Sequence, residues 1–312
     1  MRSILLALAF ALSAWTVAAQ APPPTATSDL TVENVSQGGL VARLYAAPGV
    51  QGKAPALMVL GGSEGGFRGS DPLARRFAAE GYVVLAVSYF GEPGQPEALI
   101  NIPLENFDRA LDALLARPEV DPGRVGVIGV SKGAEAALLV ASRRPEIRAV
   151  AVGAPTHVVW QGIDFSDWSP RSSWSEGGEP VSFTPYAMGQ AFTGLRDLYD
   201  RSLPPQGQEG ATLIQAERIN GDILLVSGGQ DGLWGATPMS DRLAGRLRTA
   251  GFPHRVEHLA YPEAGHAVFG PPVPPERGEA LAQFGGTAEA NVAARADAWP
   301  KILAFLREAL GD

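Results

Sequence analysis

Five apolar runs, each too continuous to leave one face in water, dominate the middle of this 312-residue chain. They read ALMVLGG from residue 56, YVVLAVSYF from 82, RVGVIGV from 124, IRAVAVGAP from 147 and DILLVSGG from 222. A strand that is apolar on both faces needs a sheet covered on both sides. The segments between the runs carry apolar residues at helical spacing. RRFAAEGY closes on Gly81, and ENFDRALDALLARPEV sets Phe107, Ala110, Leu111, Leu114 and Leu115 on one face. KGAEAALLVASRR and SDRLAGRLRTAGF are helical too, and the stretch around NVAARADAWPKILAFLREAL closes the chain after a further strand, RVEHLAY. This alternation predicts an α/β fold: a mostly parallel central sheet with helices on both faces. TVENVS and GLVARLYAA, joined by a Gly-Gly turn, predict two short strands ahead of it.

The bulk numbers agree with a buried core, with 46% hydrophobic and 19% charged residues. The net charge of -8 and the scattered Lys and Arg residues exclude a nucleic-acid-binding surface. There is no cysteine, which excludes disulfides, thiolate metal sites and a cysteine nucleophile. Residues 1–19, MRSILLALAFALSAWTVAA, read as a cleaved signal peptide: an early Arg2, an apolar stretch, then small residues before the cut. That stretch is shorter than the ~20 residues of a membrane span. The expectation is an exported protein, periplasmic or secreted, with no stable membrane span after cleavage. Residues 20–29 read as an extended linker, and 30–312 as one domain.

Residues from about 155 to 215 break the alternation. They are rich in Trp, Ser, Gly and Pro and include Trp160, Trp168 and Trp174. Long irregular insertions are often lids or binding loops, so a lid is expected here, with Trp160 and Trp174 against the substrate.

GVSKG, residues 129–133, follows RVGVI and opens a helical pattern. G-x-S-x-G between strand and helix is the signature of a nucleophile elbow, the sharp turn that exposes a serine in α/β hydrolases. Glycine is required on either side because side chains there would collide with the neighbouring strand and helix. Ser131 is therefore the candidate nucleophile. A serine hydroxyl is weak without a base, and the chain holds only four histidines. His157 comes directly after the fourth apolar run, before the later strands, and His254 and His258 flank or occupy a strand. Only His266, in PEAGHAVF, follows the last predicted strand, where the order serine, acid, histidine requires the base. Asp231 in LLVSGGQDGLW lies at a strand's carboxyl end and is the candidate acid. Asp222 stands at the wrong end of that strand, and Asp241 opens a helix. Oxyanion donors are expected from the backbone N–H of Lys132 and of Ser63 in LGGSEGG, with Gly62 next to it. That loop lacks the endings of a phosphate-binding motif. The side chains of Lys132 and Glu135 read as an ordinary i, i+3 pair without a catalytic role.

LGGSEGG, GVSKGAE, GGQDGLW, YPEAGH and FGGTAEANVAARADAWPKIL together resemble the catalytic domain shared by type I acyl-CoA thioesterases and bile acid-CoA:amino acid N-acyltransferases. HVVWQGI and RSSW resemble the same family's insertion. Dienelactone hydrolases are more distant relatives. The resemblance spans roughly residues 55 to 310 and implies Ser131, Asp231 and His266 as a triad. It also implies hydrolysis rather than amide synthesis, since the conjugating members carry cysteine at the serine position. The expected activity is cleavage of an acyl thioester or ester through an acyl-serine, with a small-molecule acyl ester or thioester as substrate and no metal or organic cofactor. The alternative is a carboxylesterase on oxygen esters; an acyltransferase and a non-catalytic binding protein are further readings. The acidic net charge disfavours a polyanionic coenzyme A headgroup, which Arg171 among the local arginines could offset. The oligomeric state is not legible.

Overall fold

The computed structural model describes residues 26–311 apart from positions 38, 51 and 190. The expected signal peptide and most of the expected linker lie outside the described residues; Thr27–Asp29, at the linker's end, form a short 3-10 turn.

The strands are β1 (Thr31–Gln37), β2 (Leu40–Ala46), β3 (Ala54–Leu60), β4 (Val83–Ser88), β5 (Ile102–Pro103), β6 (Val120–Val130), β7 (Ile147–Gly153), β8 (Trp174–Glu176), β9 (Glu179–Pro180), β10 (Asp222–Gly228) and β11 (Val256–Tyr261). The helices are α1 (Ser70–Ala79), α2 (Glu105–Leu115), α3 (Lys132–Ala141), α4 (Leu195–Ser202), α5 (Ala236–Thr249), α6 (Gly278–Ala282) and α7 (Ala288–Leu310). Eight strands form one sheet in the order β1-β2-β4-β3-β6-β7-β10-β11. β2 is antiparallel to both neighbours, and from β4 onward every pairing is parallel.

The continuous apolar runs become the central strands because successive side chains go to opposite faces, and both faces are covered. Ala56, Met58 and Leu60 of β3 join the cluster that holds buried residues of α2, α3 and α5. Leu57 and Val59 join the cluster built from α1 and α7. Burying a side chain of this size contributes roughly 1.5–3 kcal/mol, so either face bare would leave the strand unstable.

The segment between β7 and β10 holds the irregular insertion. A small sheet, β5-β8-β9, ties it to the stretch before α2. A third buried cluster of Ala154, Val158, Trp160, Tyr186, Leu198, Tyr199, Trp234, Ala236 and Met239 sits between the insertion and the start of α5. No helix among the described residues is long and apolar enough to cross a membrane.

Candidate active site

Ser131 closes β6 and caps α3 with φ 58° and ψ -122°, a conformation costly for a residue with a Cβ. Its N–H donates to the Gly153 carbonyl of the adjacent strand at 2.9 Å, which pins the turn. The two glycines of the motif are sterically required. A Cβ on Gly129 would overlap the carbonyl of Gly133, and one on Gly133 would overlap the carbonyl of Gly61 at the end of β3. Strand, turn and helix approach so closely that only hydrogen fits.

Asp231 follows β10 and His266 follows β11, so two parallel strands deliver them to the same edge as Ser131. His266 Nδ1 lies 2.8 Å from Asp231 Oδ2, with the two side chains 9% and 0% exposed. The other carboxylate oxygen accepts the N–H groups of Leu233 (2.8 Å) and Trp234 (3.1 Å), so the carboxylate cannot rotate away. A strap at 284–286 runs between the two loops. The Phe284 carbonyl accepts from both Gly232 and His266, and Gly285 and Gly286 bridge Asp231 and Ala264. Buried Asn291 completes it, accepting from Gly265 N–H and donating to the Gly285 carbonyl. The tie of FGG to both sides of the site appears only in the fold.

His266 Nε2 is buried without a hydrogen-bond partner, and His266 lines the same cavity as Ser131, Lys132 and Ser63. The first N–H groups of a helix have no intrahelical acceptor, so Lys132, at the start of α3, fits the expected donor role. Gly62 does not: its N–H is taken by Glu64 Oε1 at 2.8 Å. Gly62 instead makes room, since a Cβ there would press on Ser131 Cβ at 3.2 Å. The buried Tyr89 hydroxyl donates to the carbonyls of Gly61 (2.6 Å) and Gly62 (3.1 Å), holding the loop against the elbow.

The cavity measures about 80 Å3, roughly half the ~150 Å3 that admits benzene. Its walls are Ile163, Phe165, Trp168, Tyr186, Leu195, Leu198, Tyr199, Leu233 and Trp234. Trp160 and Trp174 are not among them, which corrects the expectation of substrate contact. Both are fully buried: Trp160 packs edge-on against Tyr199, and Trp174 packs among Tyr89 and Phe107. The insertion turns two of its three tryptophans inward to anchor itself and presents the third, Trp168, to the cavity.

The side chains of Lys132 and Glu135 form the expected i, i+3 pair, and the fold buries it: Lys132 is 1% and Glu135 0% exposed, with Nζ and Oε2 2.6 Å apart. Burial pushes the Glu135 carboxyl up and the Lys132 ammonium down.

A second Ser-His-Asp chain exists elsewhere. Ser227 Oγ lies 2.7 Å from His258 Nε2, and His258 Nδ1 lies 3.0 Å from Asp241. Ser227 is fully buried in β10 and its hydroxyl also meets Thr237. With no strained turn and no access, this chain joins β10, β11 and α5. Distances alone do not make a catalytic serine.

A groove of about 600 Å3 shares Ser63, Ile163 and Phe165 with the cavity and is lined further by Glu64, Glu97, Asp164 and Phe90. Arg171 is held by Asp164 (2.9 Å) and Asp167 (3.0 Å), so it does not supply a free cation there.

Residues 102–312 match the family model described as BAAT / Acyl-CoA thioester hydrolase C terminal. The mouse protein "Acyl-coenzyme A thioesterase 2, mitochondrial" is 28% identical over 285 residues, covering 89% of this chain and 60% of its own. The rat "Acyl-coenzyme A amino acid N-acyltransferase 2" is 30% identical over 293 residues, covering 89% and 65%. The chain thus spans about three fifths of the length of these relatives. Among solved structures, a putative dienelactone hydrolase from Klebsiella pneumoniae has a TM-score of 0.58 at 18% identity, covering 89% of this chain and 98% of that one. That likeness concerns the fold, which is of the α/β-hydrolase kind.

Proposed function

We propose, since the chain belongs to the BAAT / acyl-CoA thioester hydrolase C-terminal family, that it is a serine hydrolase of short-chain acyl esters or thioesters. The observation that carries this reading is His266: one ring nitrogen is fixed on Asp231, and the other is buried and unpartnered on the cavity of Ser131. In the proposed mechanism His266 Nε2 takes the Ser131 proton as Oγ attacks the acyl carbon. The developing imidazolium is stabilised by Asp231. The N–H groups of Lys132 and Ser63 receive the oxyanion. Collapse of the tetrahedral intermediate expels the alkoxide or thiolate, which takes the proton from His266. A water then repeats the sequence on the acyl-serine, with His266 as base and then acid. The small apolar cavity supports an acyl group of a few carbons.

A specific observation favours oxygen esters, or thioesters with an uncharged leaving group, over coenzyme A itself. The groove that continues from Ser63 is lined by Glu64 and Glu97, beside the Asp164 that is paired with Arg171, and the two glutamates would repel a polyanionic leaving group. The test is hydrolysis of acetyl- to octanoyl-CoA and of the matching p-nitrophenyl esters, with Ser131→Ala as control. A fluorophosphonate probe should label the wild type and not the variant. Absence of labelling and of hydrolysis in a folded protein sinks the reading and favours a binding role. Ester hydrolysis without coenzyme A release decides for the second form, and product formation only with an added amine or alcohol points to acyl transfer.

A further inference from the structure

Both ends of the cavity-lining loop 160–174 converge on one buried carboxylate oxygen. Glu135 Oε1 accepts the backbone N–H of Trp160 at 3.0 Å and the indole N–H of Trp174 at 2.7 Å. Its other oxygen faces Lys132 Nζ. Between these ends the loop is closed on itself: Gly162 N–H donates to the Arg171 carbonyl at 2.8 Å, Gln161 bridges Ser172, and Ser173 Oγ donates to the Trp160 carbonyl. The loop carries Ile163, Phe165 and Trp168 to the cavity wall. Glu135 itself stands one helical turn from Ser131, on α3. A buried ion pair is weak evidence for stability, because an apolar pair of equal volume often serves as well. Its presence here is better explained by the acceptor it keeps in place.

We propose that Glu135 is a positioning residue that latches the 160–174 loop to the nucleophile helix and so sets the acyl-group selectivity of the cavity, with Lys132 as its buried counter-charge. The assignment of the cavity to acyl groups rests on the proposed hydrolase reading; the latch does not. An acceptor at position 135 holds the wall at a fixed distance from Ser131. Without one, two buried donors lose their partner and the loop moves outward.

The test compares two double variants, so that no unpaired charge is buried. Lys132→Met with Glu135→Gln keeps an acceptor, whereas Lys132→Met with Glu135→Leu removes it. Amide hydrogen exchange across residues 160–174 should be at least about tenfold faster in the Leu form, with β6 and β7 unchanged, since two buried donors are orphaned and each is worth about a tenfold factor. KM for p-nitrophenyl butyrate should rise by a similar factor, and the preference for butyrate over octanoate should flatten. Labelling of Ser131 by the fluorophosphonate should stay similar in the two forms. Equal exchange and equal selectivity in both overturn the latch. A fall in labelling with unchanged KM and selectivity also overturns it, since Glu135 would then act on Ser131 itself. If the Leu form does not fold, Trp174→Phe removes one donor and carries the same expectation in reduced size. Loss of all ester hydrolysis and labelling in the wild type refutes the hydrolase reading, while the exchange comparison still decides on the latch.

Discussion

Gly285 lies against Asp231 in an isolated antiparallel bridge, at φ +96°. A Cβ on Gly285 would overlap the carbonyl of Gln230, the residue before the acid. The strap at 284–286 is thus fitted to the loop that presents Asp231 and, through Phe284, to the loop that presents His266. Gly285→Ala should therefore cost more than the ~1–2 kcal/mol of the left-handed conformation alone. The expected result is a lower melting temperature and a kcat reduced well beyond that of Gly245→Ala, an α5 position where a Cβ would meet nothing within 4 Å. Equal effects of the two variants would show that the strap does not matter to the pair.

Asp231→Asn should keep the fold and lose about 10^3–10^4 in kcat, because the amide favours the wrong imidazole tautomer. His266→Ala should cost at least as much. The check is single-turnover kinetics on a p-nitrophenyl ester, with fluorophosphonate labelling slowed in parallel. The corresponding changes in the second chain, buried Ser227→Ala and exposed Asp241→Asn, should lower stability, the first more than the second, and leave kcat within a few-fold.

Trp168→Ala should widen the cavity and extend activity toward longer acyl chains, read as a change in the octanoate-to-butyrate ratio of kcat/KM. Trp160→Ala, by contrast, leaves a hole in a fully buried cluster, so its expected signature is a loss of about 3–5 kcal/mol in stability. Urea unfolding of both variants separates the two outcomes.

Burial holds the His157 imidazole down to about 4, with Arg242 adding to the effect, and burial also lowers His258. Both groups are thus neutral in the fold and take up protons more readily once unfolded, near the ordinary value of 6.5. A histidine depressed in this way contributes its full stability above about pH 6.5. That contribution is lost as pH falls toward 4, amounting to about 3 kcal/mol for His157 by linkage. Unfolding free energy measured from pH 7 to 4 should fall in this window, and His157→Gln should flatten the slope.

Glu97→Lys should convert the groove beside Ser63 from repelling to tolerating a polyanionic leaving group. At low ionic strength kcat/KM on acyl-CoA should rise by about three- to tenfold relative to a p-nitrophenyl ester, and the gain should shrink in high salt. An unchanged ratio would remove the groove from the path of the leaving group.

The parallel sheet, its helices and the meeting of Asp231 and His266 at the sheet edge were legible in the chain itself. Continuous apolar runs admit one burial solution, and strands of a parallel sheet end on the same edge, so residues just after β10 and β11 meet by topology. GVSKG was legible for a similar reason: the glycines report a close approach that no other residue allows. What the tertiary structure alone decided is which insertion side chains line the cavity and which face the core. Trp160, Trp168 and Trp174 look alike in a segment without periodicity, and only the packing of Tyr199, Tyr89 and Phe107 assigns two of them to anchoring. The same holds for Lys132 and Glu135, whose spacing fits an exposed pair. Their burial follows from the insertion folding over α3, a contact between segments with no local pattern to announce it.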